Sequence, residues 1–158
     1  MGEKFRTVAV GGTFDEFHKG HRALLMKAFD LGERVLIGLC SDDFAKKMHK
    51  PHITASYKQR LEELKDFLRQ HHFLERAEII PLNTPFGVTL SEGHIEALVV
   101  SKETELTALE INDMRKERGL LPLEIVVIDM IPSENCAPIS TTRIRRGEID
   151  REGRLLNF

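Results

Sequence analysis

Glycines and histidines that follow the first apolar run of this chain are its strongest candidates for chemistry. Gly11 and Gly12 would let a ligand approach the backbone closely. His18 and His21 are three residues apart, which puts both imidazoles on one side of a helix start. The free N–H groups of a helix start favour a phosphate, and imidazoles can donate hydrogen bonds to its oxygens. The spacing therefore predicts a phosphate site, although it also fits a glycine turn before an exposed helix start with incidental histidines.

Hydroxyl side chains near the other end of the chain suggest a second phosphate contact. They belong to Ser140, Thr141 and Thr142, and the arginines that follow are Arg143, Arg145 and Arg146. One interpretation is a helix N-cap. The other is a cradle in which hydroxyls and free N–H groups converge on phosphate groups. A basic helix could also bind RNA, but the acidic residues that follow at once dilute its charge.

Lysines that follow the second apolar run are candidates to neutralise phosphates over the same cleft. Asp42 and Asp43 are typical of the first turn of a short helix, where carboxylates favour the positive dipole end. That helix carries Lys46 and Lys47, and Lys50 comes shortly after it. A lysine cluster that is simply solvated is the alternative interpretation.

A second pair of histidines three residues apart, His49 and His52, raises the alternative of a zinc site with nitrogen ligands. No cysteine pair stands at zinc-finger spacing and the segment has the composition of a loop, so we predict no metal-ligating residues. Cys40 and Cys136 are too few for a disulfide framework. Each lies beside an apolar run, which indicates buried free thiols.

The elements that must position these residues alternate along the chain. Apolar runs over 5–10, 35–40, 77–81, 97–100 and 125–130 predict strands covered on both faces. Segments 19–31, 56–71 and 103–118 have the spacing of helices with one apolar stripe. Arg60 lies in the second of these and could also reach the pocket. The order predicts a Rossmann-like, doubly wound α/β fold with a five-stranded, mainly parallel sheet and helices on both faces.

Length and composition limit the classes of protein to which the chain can belong. Its 158 residues fit one domain, 1–158, and hydrophobic residues make up 41% of it. A formal charge of -2 and an aromatic content of 6% argue against a nucleic-acid partner. No apolar run is long enough to span a membrane and no signal-peptide pattern opens the chain, so we expect a cytoplasmic protein. Phe17 and Phe86 could form an interface between copies or pack internally, and the oligomeric state stays open.

Two of these segments carry a resemblance to a known superfamily. Residues 11–21, GGTFDEFHKGH, are similar to the GTFDxxHxGH signature of nucleotidyltransferases that attach a nucleotide to a phosphate-bearing substrate. Residues 139–145, ISTTRIR, match its second signature, ISSTxxR, with Thr141 in place of the second Ser. The middle of the chain, LVVSKET at 98–104 and INDMR at 111–115, resembles the archaeal and eukaryotic phosphopantetheine adenylyltransferases.

The resemblance implies a reaction: ATP and 4′-phosphopantetheine give dephospho-coenzyme A and pyrophosphate, with Mg²⁺ accompanying ATP. The attacking phosphate is already anionic at pH 7, so neither a general base nor a covalent intermediate is needed. Positioning and stabilisation of the developing charge remain for the protein to supply.

The resemblance also implies roles for particular residues. The catalytic set comprises His18 at the α-phosphate and Lys46 or Lys47 at the acceptor phosphate. The nucleotide-binding set comprises Gly11, Gly12, Phe14, Gly20, His21, Ser140, Thr141, Thr142 and Arg145, which occupies the arginine position of the second signature. The acceptor-side set comprises Thr13, Ser101, Glu103, Asn112 and Arg115, of which Glu103 is also interpretable as a helix cap.

Two alternatives stay open at this point. Other small nucleotidyltransferases, acting on FMN, nicotinamide mononucleotide or glycerol 3-phosphate, share both signatures and differ in the middle segments. A nucleotide sensor that kept the cradle and lost turnover would bind ATP without releasing pyrophosphate.

Overall fold

Five apolar runs form the strands of one sheet. The structure is a computed structural model that describes residues 5–15, 17, 19–48, 55–84 and 94–128. Its strands are β1 (Phe5–Gly12), β2 (Gly32–Cys40), β3 (Ala77–Leu82), β4 (Ala97–Ser101) and β5 (Glu124–Ile128). Their order in the sheet is β3-β2-β1-β4-β5, and every pair of neighbours is parallel. The predicted doubly wound α/β fold is confirmed, and these five strands are parallel throughout.

In the described ranges, four α-helices connect the strands. They are α1 (Lys19–Leu31), α2 (Asp42–Met48), α3 (Tyr57–Gln70) and α4 (Glu105–Glu117). Short 3-10 turns, Leu74–Arg76 and Lys102–Thr104, precede β3 and α4. The 3-10 turn explains why α4 begins two residues later than its periodicity predicts. None of the helices in the described ranges combines the length and apolar character needed to cross a membrane.

The core lies on both faces of the sheet, as helices on both faces predict. Because side chains alternate along a strand, Val8 and Val10 of β1 pack on one face and Ala9 packs on the other. The first face is covered by α1 and α3, which contribute buried apolar side chains such as Leu25 and Leu64. The second face is covered by α4.

The register of β1 determines where a ligand can enter. Pairing of β1 with β2 continues to the last residue of β1, Gly12, which is opposite Leu39. Pairing of β1 with β4 is confined to Val8 with Ala97 and Ala9 with Leu98. The two strands therefore part towards their carboxyl ends. They also lie where the strand order reverses, and ligands of open α/β sheets bind in the crevice outside that point.

Candidate active site

The turn after β1 adopts an uncommon backbone conformation around Phe14. Its φ is 53°, in the left-handed region that non-glycine residues rarely occupy. Its ring is fully buried, with the centroid 5.2 Å from that of His21 and 6.3 Å from that of Phe17. The ring therefore supports the turn from inside, and the nucleotide contact expected at Phe14 stays a prediction. Phe17 likewise packs internally and is buried.

The start of α1 offers hydrogen-bond donors beside this turn. The helix begins at Lys19, as its periodicity predicts, and its first turn contains no acidic residue that would offset the positive dipole end. Gly20 and His21 lie in that first turn and are half-buried. The His21 ring packs against both Phe14 and Phe17, with centroids 5.2 and 5.8 Å away. These rings orient the imidazole at a helix start suited to a phosphate.

A cavity of about 170 Å³ adjoins the carboxyl ends of β1, β2 and β4. Most of its walls are apolar, and the hydroxyls of Thr104 and Thr107 are among its few polar groups. Gly11, Gly12 and Gly38 form part of the lining. A Cβ atom on Gly38 would lie 2.6 Å from Cγ of Leu82, so glycine is required for this close approach. The site therefore combines a phosphate-type helix start with space for an apolar group.

Helix α2 borders this cavity and carries the two candidate lysines. Ser41 caps the helix, since the Phe44 amide donates to its Oγ at 3.2 Å. Phe44 and Ala45 are buried against Cys40 and Leu82, which fixes the helix on the sheet. The opposite face exposes Lys46 and Lys47 in the last turn. Both lysines are thus exposed on the helix that follows β2, and neither lines the cavity.

Arg60 does not line the cavity but lies behind the site, where it is buried to 1% exposure. Its guanidinium donates to the backbone oxygens of Thr13, Cys40 and Ala55 and to the Asp42 carboxylate. Asp15, another buried charged residue, accepts a hydrogen bond from the Ala55 amide at 3.0 Å. Neither side chain could be assigned from sequence, because the partners are up to 47 positions away.

Ser101 and Thr104 place two hydroxyls at the carboxyl end of β4. Thr104 Oγ1 donates to the Ser101 backbone oxygen at 3.2 Å, and the two hydroxyl oxygens are 3.5 Å apart. Thr104 lines the cavity, and Ser101 is hydrogen-bonded to it. Ser101 therefore stays a candidate for contact with the acceptor substrate. The sequence does not indicate that Thr104 and Thr107 line a cavity, because a threonine near a predicted helix start is commonly a cap.

The side chains of Asn112 and Arg115 form hydrogen bonds with the segment that leads into β5. The Leu123 amide donates to Asn112 Oδ1 at 2.7 Å, and Asn112 Nδ2 donates to the Leu123 oxygen at 2.9 Å. Arg115 is buried to 1% exposure and donates from Nε to the Leu121 oxygen at 2.7 Å. Burial also lowers the pKa of the Arg115 guanidinium. Both side chains thus have structural partners, and the substrate contacts expected of them stay a prediction.

Replacing Asn112 by alanine should lower the free energy of unfolding by about 1–3 kcal/mol, because the Leu123 amide and carbonyl both lose their partner. Urea unfolding measures this loss, with Asp113→Ala, on the exposed side of the same helix, as the control. Unchanged stability together with a raised KM for the acceptor would indicate that the Asn112 side chain contacts the acceptor instead.

Cys40 lies at the cavity wall and is buried to 1% exposure. Burial raises the pKa of its thiol, and hydrogen bonding to Thr13 and the charge of Arg60 only partly oppose that rise. The thiolate is the nucleophilic form, so a raised pKa lowers its fraction at neutral pH. The predicted buried free thiol is confirmed for this cysteine, and it is unsuited to act as a nucleophile.

We therefore expect Cys40 to resist iodoacetamide at pH 7.5 in the native protein and to react fully in 8 M urea. Mass spectrometry of the digested protein distinguishes the Cys40 peptide from the Cys136 peptide. Rapid native labelling of Cys40 would contradict its burial and protonation.

Several predicted residues lie outside the described part of the chain. They are His18, His49, Lys50, His52, Phe86, Cys136, Ser140, Thr141, Thr142, Arg143, Arg145 and Arg146, together with the side chain of Glu103. Within the described ranges, the structure brings Gly11, Gly12, Thr13, Gly20, His21 and the α2 lysines to one end of the sheet.

Comparisons with known proteins show to which family the chain belongs. The model of the cytidylyltransferase-like family matches residues 9–147. The chain is 46% identical to the phosphopantetheine adenylyltransferase of Methanothermobacter thermautotrophicus over 99% of its own length and 93% of that protein's. It is 47% identical to that of Pyrococcus abyssi, over 95% of both chains. A solved structure of a protein with unknown function from Archaeoglobus fulgidus aligns with a TM-score of 0.70, at 35% identity, over 78% of this chain and 98% of that one. Sequence identity of 46–47% over nearly the full length of both proteins shows that the chain belongs to the phosphopantetheine adenylyltransferases of archaeal type, within the cytidylyltransferase-like family.

Proposed function

We propose that this protein transfers the adenylyl group of ATP to 4′-phosphopantetheine, giving dephospho-coenzyme A and pyrophosphate. The observation that carries the proposal is the juxtaposition at one end of the sheet of the α1 start, the α2 lysines and the apolar cavity. Two phosphate-bearing substrates need two cationic or dipolar sites, and the pantetheine arm needs an apolar space. The relatives named above carry the matching activity in their names.

The proposed mechanism is direct in-line attack by the acceptor phosphate on the α-phosphate of ATP. The P–O bond to the acceptor forms as the bond to pyrophosphate breaks, and no proton has to be removed from the nucleophile. His18 and the start of α1, with Gly20 and His21, would stabilise the α-phosphate as charge builds. Thr13 and Lys46 or Lys47 would hold the acceptor phosphate.

The remaining groups would hold the two ends of the substrates. Residues 140–142 and Arg145 would bind the β- and γ-phosphates, as their motif position implies. The cavity would take the pantetheine arm, whose amides would form hydrogen bonds with the hydroxyls of Thr104 and Thr107, two of the residues that line it. A pocket that is mostly apolar with a few polar groups is typical of a site for such a ligand.

The family uses a divalent cation with ATP, and we propose Mg²⁺. Within the described ranges no three His, Cys, Asp or Glu side chains form a metal-binding group. The substrate phosphates would be the main ligands of the ion, as is common for Mg²⁺ in nucleotide-transfer sites. The cation would neutralise charge on the departing pyrophosphate. ATP as substrate and the free thiol of Cys40 both favour a cytoplasmic location.

Pyrophosphate release with a panel of acceptors tests the proposal. ATP and Mg²⁺ are supplied with 4′-phosphopantetheine, FMN or nicotinamide mononucleotide, and CTP with glycerol 3-phosphate. We expect release with 4′-phosphopantetheine only. Release with another acceptor would assign a different nucleotidyltransferase activity, and ATP binding without release from any of them would favour a sensor.

A further inference from the structure

The Arg60 guanidinium joins four backbone or side-chain groups from separate segments around the site. Its Nη1 donates to the Thr13 oxygen at 2.9 Å and to the Cys40 oxygen at 2.7 Å. Its Nε donates to the Ala55 oxygen at 2.8 Å, and its Nη2 donates to Asp42 Oδ1 at 3.1 Å. One side chain therefore connects the turn after β1, the end of β2, the start of α2 and the segment before α3.

Asp42 and Asp15 complete this connection from the other side. Asp42 Oδ1 also accepts the Tyr57 amide at 2.7 Å, which ties the first residue of α2 to the first residue of α3. Asp15 accepts the Ala55 amide at 3.0 Å, which ties the turn after β1 to the same segment. The beginning of α3 is thus bonded both to the β1 turn and to α2.

We infer that Arg60 is a positioning residue that sets the location of the α2 lysines relative to Thr13. The inference rests on the proposed function, in which the acceptor phosphate lies between Thr13 and Lys46 or Lys47. Thr13 follows β1 and the lysines follow β2, so their separation depends on how the ends of these strands are held. The same Nη1 atom binds the Thr13 and Cys40 carbonyls, and Nη2 binds the helix that carries the lysines.

Only arginine has the geometry for this role. Its planar guanidinium presents donors on three nitrogens in a fixed fork. All three nitrogens donate here, and Nη1 donates twice. A lysine ammonium is a single point with three donors and cannot reach acceptors on all sides of that fork. Arg60→Lys keeps the charge but should lose the link between the β1 turn and α2.

The experiment compares two arginine–aspartate pairs whose arginines both lie on α3. Arg60→Lys and Asp42→Ala disrupt the pair whose arginine is buried. Arg69→Lys and Asp66→Ala disrupt the exposed pair, which has a similar separation of 3.0 Å. We expect kcat to fall about 10- to 100-fold for Arg60→Lys and about tenfold for Asp42→Ala, because small displacements of reacting groups are costly. The KM for ATP should stay within about twofold in both variants, and the exposed-pair variants should match the wild type.

A conservative variant and a double-variant comparison separate positioning from general loss of structure. Asp42→Asn keeps an oxygen that can accept from Tyr57 and Arg60, so it should retain most of kcat. In a background with Lys46→Ala and Lys47→Ala, Asp42→Ala should lower kcat by less than about twofold, because the groups it positions are gone. Circular dichroism and thermal unfolding set an assay temperature at which each variant is folded.

The outcomes distinguish this inference from the proposed function. No turnover of 4′-phosphopantetheine by the wild type would remove the proposed function and this inference with it. An active wild type whose folded Asp42→Ala and Arg60→Lys variants keep full kcat would overturn the inference alone. An equal loss from Asp42→Ala with and without the lysines would also overturn it, since that result indicates a structural role.

Discussion

The His18→Ala variant is expected to lose about 10²- to 10³-fold in kcat, the effect of removing one preorganised donor from a transition state. His18 occupies the first histidine position of the GTFDxxHxGH signature and immediately precedes α1. In the proposed mechanism, charge builds at the α-phosphate as the acceptor attacks, and the start of α1 would contribute its dipole to the same place. Initial rates of pyrophosphate release at saturating ATP and 4′-phosphopantetheine measure the change.

A second histidine variant serves as the control for this prediction. His72→Asn changes an exposed histidine in the turn after α3, and asparagine tolerates its φ of 59°. Its kcat should equal that of the wild type. Wild-type turnover by a folded His18→Ala enzyme would exclude a transition-state role for this imidazole.

Replacing Phe14 by alanine should lower the free energy of unfolding by about 3–5 kcal/mol, the usual cost of truncating a buried aromatic ring. The ring is fully buried against Phe17 and His21, so its loss would leave a cavity directly behind the phosphate site. Urea unfolding followed by circular dichroism measures the loss.

Leu121→Ala is the matched control for Phe14→Ala, because Leu121 is 81% exposed and its truncation should change stability by no more than about 0.5 kcal/mol. A Phe14→Ala variant that is as stable as the wild type but has a raised KM for ATP would indicate that the Phe14 ring contacts the nucleotide. Stability loss without that change in KM would support the structural role.

Local sequence patterns predict the elements of this fold well. The helix expected over 19–31 has the bounds Lys19–Leu31, and each predicted apolar run lies in a strand, apart from residues 129 and 130, which lie outside the described ranges. The second glycine of the motif also joins β1, because Gly12 continues the pairing with Leu39. Hydrophobic periodicity is a local property, so it predicts elements better than their ends.

Long-range pairing explains what the sequence could not predict. Asn112 and Arg115 occupy motif positions, yet their polar groups bind Leu123 and Leu121, which no spacing rule indicates. Arg60 resembles a polar residue of a packing helix, and its partners Thr13 and Cys40 come from two different strand ends. The parting of β1 from β4 depends on register, which only the assembled sheet determines.

Product stoichiometry is the measurement that tests the central claim most directly. The protein is incubated with ATP, Mg²⁺ and 4′-phosphopantetheine, and dephospho-coenzyme A and pyrophosphate are quantified by mass spectrometry and an enzymatic assay. Exchange of labelled pyrophosphate into ATP is measured in parallel without the acceptor. Direct adenylyl transfer predicts equal amounts of the two products and no exchange without the acceptor. Pyrophosphate without dephospho-coenzyme A, or exchange in the absence of 4′-phosphopantetheine, would contradict it.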